Sequence, residues 1–199
     1  AGFFGSSSIQ FGTTPALTLG SGASDLFIAK YDPVGNAVWS RNESGNGNEY
    51  ALKVAADSSG NSYCTGYFNG SSITFGSNPA LTHSSGEDVF VVKYDTGGNP
   101  LWSRNTGSNS ADGSCITSDR WGNVFLGGVF GSSTITFGST TLTHVSPGTD
   151  LDLFLVKYSP AGVVQWAHAG GGASTDISTV TEVDFDGNFE YSPIVSVEM

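Results

Sequence analysis

The sequence predicts an all-β fold, a β-propeller-like array of three four-stranded antiparallel blades, on three observations. First, DLFIAKYDPVGNAVWSR (25–41) returns as DVFVVKYDTGGNPLWSR (88–104) and again as DLFLVKYSPAGVVQWAH (152–168). Second, the segments between turns alternate with a period of two and are apolar on both sides. Third, 28 glycines and a recurring Asp-x-x-Gly-Asn supply the turn chemistry of short hairpins.

The repeat sets the architecture. Trp39, Trp102 and Trp166 recur at steps of 63 and 64 residues, and Lys30-Tyr31, Lys93-Tyr94 and Lys157-Tyr158 keep the same step. Phe11, Phe75 and Phe137 recur in QFG, TFG and TFG, and the turn recurs as Asp57 to Asn61, Asp119 to Asn123 and Asp184 to Asn188. The chain therefore reads as a single repeat array over 1–199, with units of approximately 2–65, 66–127 and 128–199.

Within one unit four principal strands are expected: Ala51 to Asp57, Asn61 to Phe68, Asp88 to Asp95 and Asn99 to Asn105. Asp/Gly/Asn turns join the first to the second and the third to the fourth as hairpins. The longer connection NGSSITFGSNPALTHSSGE carries two apolar patches, ITF and ALT, and is expected to form a small extra hairpin at the rim.

The third strand decides how the sheets are placed. Phe90, Val92 and Tyr94 share one face; Val89, Val91 and Lys93 share the other, and both copies keep the pattern. Strands apolar on both faces must be covered on both, so the sheets are expected to stack face to face, radially as a propeller or linearly as a solenoid. Inter-blade packing is assigned to Phe27, Phe90, Phe154, Tyr31, Tyr94, Tyr158, Trp39, Trp102 and Trp166.

On the pieces GYF (66–68), ITFG (73–76), DVFVVKYD (88–95), GNPLW (98–102) and D-x-x-G-N, the unit resembles the bacterial SBBP repeat of secreted and surface-anchored β-propellers. The resemblance spans nearly the whole chain in three tandem copies. It implies a propeller and an extracellular setting, and no reaction. The hairpin ending in G-N-x-x-W is also similar to the tryptophan-docking motif of quinoprotein propellers. The third copy departs from the pattern with Ser159 for the turn aspartate, Gly162-Val163 for Gly-Asn and His168 for Arg41 and Arg104, and the tail SPIVSVEM leaves it.

Eighteen acidic residues against seven basic ones give a formal charge of −11, so the field repels a polyanion and nucleic acid is excluded as a partner. No apolar run is long enough to cross a bilayer as a helix. No HExxH, GxSxG, P-loop or CxxC motif is present, so no enzyme activity, cofactor or catalytic residue is assigned. Cys64 and Cys115 admit either a disulfide or two buried thiols. His83 and His144 occupy one repeat position and are read as structural, as is His168. Lys30, Lys93 and Lys157 lie between aromatics, where the stem covers apolar surface. Asp25, Asp88 and Asp152, at the head of each third strand, are read as hydrogen-bond acceptors, with calcium the sharper alternative. Trp121, at a turn tip, is the candidate for ligand or sugar contact. Asn42-Glu-Ser44 and Asn69-Gly-Ser71 match the glycosylation sequon.

Three blades are fewer than the four to eight that usually close a propeller. The chain also opens at Ala1 in mid-pattern, as after removal of a leader or within a longer protein. The expected function is therefore a non-enzymatic, secreted or cell-surface structural or adhesive repeat protein that associates with its own copies in a ring or filament. The alternative is a propeller module binding carbohydrate, such as a surface glycan, or another ligand.

Overall fold

A computed structural model describes residues 1–82, 86–107, 111–145, 150–172, 174–176, 178–183 and 189–193, the last two stretches by their backbone. His83, the turn Asp184 to Asn188 and most of the tail SPIVSVEM lie outside the described residues. All regular structure among them is strand, and no helix is long and apolar enough to cross a membrane.

The strands run in order as β1 (Gly2–Phe4), β2 (Ser8–Ile9), β3 (Leu17–Thr18), β4 (Asp25–Tyr31), β5 (Ala37–Glu43), β6 (Glu49–Ala56), β7 (Ser62–Phe68), β8 (Ser72–Ile73), β9 (Leu81–Thr82) and β10 (Asp88–Tyr94). They continue as β11 (Pro100–Asn105), β12 (Ala111–Ser118), β13 (Val124–Phe130), β14 (Thr134–Phe137), β15 (Thr140–Thr143), β16 (Asp152–Tyr158), β17 (Val164–Gly170), β18 (Ser178–Val183) and β19 (Phe189–Pro193). The second sheet, β6-β7-β10-β11, and the third, β12-β13-β16-β17, are four-stranded antiparallel meanders. The first is β1-β4-β5, and β18-β19 forms a further hairpin. The rim hairpins β2-β3, β8-β9 and β14-β15 each precede the last two strands of a sheet.

The sheets thus cut the chain between 43 and 49 and between 105 and 111. The 66–127 unit read from the sequence instead starts inside β7 and ends inside β13. A period of about 63 fixes the length of the repeat and leaves its phase open; strand pairing sets the phase.

All seven residues of β10 are buried. Phe90, Val92 and Tyr94 join Leu26, Ile28 and Trp39 of the first sheet in one core. Val89 and Val91, on the opposite face, join Ile116, Leu126, Val156 and Tyr158 of the third sheet in another. One strand therefore feeds two cores, as a strand apolar on both faces must. The described sheets are stacked face to face in chain order, in a β-propeller-like arrangement.

A bulge recurs where the third strand pairs with the fourth. Lys30, Lys93 and Lys157 stand opposite Trp39, Trp102 and Trp166, while the next residue, tyrosine each time, pairs two positions back. The extra residue, Val38, Leu101 or Gln165, is turned outward, which is why two apolar side chains sit half exposed in the middle of a strand.

Candidate functional site: the junctions between sheets

Each described Asp-x-x-Gly-Asn turn is built by its own side chains. At 57–61, Asp57 Oδ1 accepts from the backbone N–H of Ser59 and Asn61, and Oδ2 accepts from the Asn61 amide. The same three bonds form at Asp32, Asp95 and Asp119. The Asn36 side chain foremost holds the Asp32 carboxyl below the ordinary aspartate range, and Asn99 does so for Asp95. Glycines Gly35, Gly60, Gly98 and Gly122 supply the positive φ that closes these turns, and Gly162 does so in the variant turn at Ser159.

The last strand of one sheet grips the last turn of the next. Trp39 Nε1 donates to Thr96 O at 3.0 Å and Arg41 Nε to Gly98 O at 3.0 Å. One sheet on, Trp102 Nε1 donates to Pro160 O at 3.0 Å and Arg104 Nε to Gly162 O at 2.9 Å. Each indole also lies 6.1 Å, centroid to centroid, from a tyrosine of the following sheet: Trp39 from Tyr94, Trp102 from Tyr158. The lysines cross the same gaps. Lys30 Nζ donates to Gly60 O at 2.9 Å and Lys93 Nζ to Pro160 O at 3.3 Å, whereas Lys157 stays in its own sheet, 3.9 Å from Asp119.

The aromatics assigned to packing from the sequence separate into classes. Phe27, Phe90 and Phe154 lean on Phe11, Phe75 and Phe137 of their own rim hairpins, with centroids 4.8, 5.2 and 5.0 Å apart. Tyr94 and Tyr158 are 0% and 2% exposed beneath the indole of the preceding sheet, while Tyr31, which has no such indole over it, is 50% exposed. Trp166 is half-buried against Phe125 and His168.

The remaining candidates scatter. Cys64 and Cys115 are both buried, and no disulfide joins them. Burial pushes the Cys64 thiol up to about 12, which removes it as a nucleophile at neutral pH. His144 is buried 3.7 Å from Asp152, and His168 is exposed. Trp121 is 53% exposed, with the Arg120 guanidinium 4.3 Å from its ring centroid. Asn42, of the first sequon, donates to Thr18 O, and Asn69, of the second, accepts from the Asn48 N–H. A cavity of about 480 Å³ opens between the rim of the second sheet and β14, lined by Pro79, Leu81, Thr82, Arg104, Asn105 and Thr136 among others.

Asp25, Asp88 and Asp152 are all fully buried at the heads of β4, β10 and β16, but their surroundings differ. Asp88 accepts from the Asn105 amide at 2.7 Å, the Gly107 N–H at 3.0 Å, the Thr106 N–H at 3.2 Å and the Thr106 hydroxyl. Asp152 accepts from the Val145 N–H. Asp25 accepts on Oδ2 from the Gly20 N–H at 2.7 Å, more weakly from Asn42, and Oδ1 has no donor. Beside it lies Glu49, 0% exposed, with neither carboxyl oxygen in a hydrogen bond of good geometry. Burial chiefly, and then the Asp25 charge, push the Glu49 carboxyl up to about 7.

Glu49 was not singled out by sequence reasoning. At the step of 63 residues Glu43 falls on Thr106 but Glu49 on Asp112, another acid; strand register, with Glu49 opposite Phe68 and Ala111 opposite Phe130, sets Glu49 against Ala111. Among the described residues no three His, Cys, Asp or Glu side chains converge as metal ligands.

With this geometry in hand, the chain was compared with known proteins. It is 30% identical over 149 residues to an uncharacterized WD repeat-containing protein of Acanthamoeba polyphaga mimivirus. The chain is a β-propeller-type repeat protein. The match takes in 68% of this propeller chain but 11% of the viral protein, so the chain spans about a tenth of its relative's length. No family model matches the propeller chain, and the SBBP resemblance rests on the motifs quoted above.

Proposed function

We propose that this β-propeller chain is a non-enzymatic structural or adhesive module of a secreted or surface protein, and that it works by contact with further copies of the same sheet. The observation that carries the reading is the junction repeated at Trp39/Tyr94 and Trp102/Tyr158, where indole, guanidinium and lysine are all engaged in holding one sheet to the next. Tyr31, half exposed on the first sheet, presents the receiving half of that junction. Trp166 and His168 sit at the donating position of the third sheet. A face of this composition favours a partner carrying a tryptophan at the same place. The SBBP resemblance supports the extracellular and bacterial setting.

Sedimentation velocity tests it. The chain is expected to sediment as concentration-dependent assemblies, and Tyr31→Arg should shift it to monomer. A wild-type chain that stays monomeric at every concentration would overturn the reading.

A further inference from the structure

The junction between the first and second sheets holds a half-buried acid, Glu43, and a buried one, Glu49, where the next junction holds a hydroxyl and a methyl group. At Asp88 the protein supplies donors to both carboxylate oxygens, Thr106 giving its hydroxyl and Ala111 no competing charge. At Asp25 the corresponding positions, by repeat step and by strand register, are Glu43 and Glu49. Three buried acceptors, Asp25 Oδ1 and both oxygens of Glu49, make no hydrogen bond of good geometry, and the Asp25 carboxyl acts directly on Glu49. The groups that act on Glu49 are Asp25 and the backbone N–H groups of Gly45 and Gly47; no lysine or arginine is among them. Strand β6 is tied down here by the Glu49 N–H donating to Ser24 O at 3.0 Å, which fixes Glu49 against the head of β4.

Two buried carboxyls without a cation are costly, and the cost is removed by a counter-charge brought between them. A shared proton satisfies one O···O contact and leaves a third acceptor bare; a hard cation satisfies all three. The ligand set is oxygen only, which selects for the calcium class over zinc. We propose that Asp25 and Glu49 form a divalent-cation site that joins the first sheet to the second, with water completing the coordination. Two carboxylates make a weak site, with Kd on the order of 10⁻⁴–10⁻³ M, the range of extracellular calcium modules. The Asp88 junction, satisfied by its own protein donors, has no such site. The inference is independent of the self-association reading.

Thermal unfolding of the whole chain after EDTA treatment, titrated with CaCl2 at constant ionic strength and near-neutral pH, tests it. Calcium at about ten times Kd should raise Tm by roughly 3–5 °C, and Tm should keep rising with the logarithm of calcium concentration above that. Calorimetric titration should give one site. Glu49→Ala, which carries the side chain found at position 111 of the next junction, should fold and lose the calcium response entirely. Three results would each overturn the proposal: no calcium response in the wild type, as for a proton-bridged pair; an equal response in Glu49→Ala; or an equal shift with NaCl at matched ionic strength.

Discussion

Gly162 shows how tightly a single residue can be constrained by two demands at once. Its φ is +73°, and a methyl group built on its Cα would sit 2.6 Å from Cδ2 of the Trp102 indole of the preceding sheet. Gly98 repeats the arrangement under Trp39, with φ +79° and the same 2.6 Å. Gly162→Ala should therefore cost about 2 kcal/mol or more, part from left-handed backbone and part from displacing the indole, measured by urea denaturation. Gly35 has φ +90° but nothing within 4 Å, so Gly35→Ala should cost about 1–2 kcal/mol, the backbone share alone. Equal costs at the two positions would contradict the contact. Nothing in the repeat marks Gly98 as more constrained than Gly35, since both stand in an Asp-x-x-Gly-Asn turn; only the neighbouring sheet distinguishes them.

At the scale of elements, the strands were legible from period-two patterning and the hairpins from Asp/Gly/Asn turns, down to the small rim pairs at ITF and ALT. The bulge at Val38, Leu101 and Gln165 was not, because an apolar residue reads the same whether it points inward or is turned out by one extra position. Nor was the tie between β5 and the second rim hairpin, where Glu43 Oε2 accepts from the Gly76 N–H at 3.1 Å. Burial, against that bond and the Arg41 charge, pushes the Glu43 carboxyl up to about 7. A carboxyl whose folded value is raised binds its proton more tightly folded than unfolded. Its stabilising effect is present below the ordinary value near 4.5 and is lost as pH rises towards 7. In EDTA, Tm should fall across that window, and Glu43→Gln should flatten the fall; an unchanged slope would contradict the assignment. Asp32 and Asp95, held low in their turns, act in the opposite sense, and their contribution is lost only as pH falls below the ordinary aspartate range.

For the whole molecule the governing fact is that β10 belongs to two cores, so no sheet is complete without its neighbours. The sequence displayed this through Phe90, Val92 and Tyr94 on one face and Val89, Val91 and Lys93 on the other. What it hid was the grip itself, because Thr96 O, Gly98 O, Pro160 O and Gly162 O are backbone acceptors with no sequence signature. The acid pair at Asp25 and Glu49 emerged only when the copies were superposed and their differences read as chemistry. The most direct measurement on the stacking is a double-mutant cycle in denaturant with Trp102→Leu and Tyr158→Leu, side chains 56 residues apart in sequence and 6.1 Å apart between ring centroids. Face-to-face sheets joined at this point predict a coupling of about 0.5–1.5 kcal/mol; additive losses would mean that the two rings never meet and that the sheets do not stack as described.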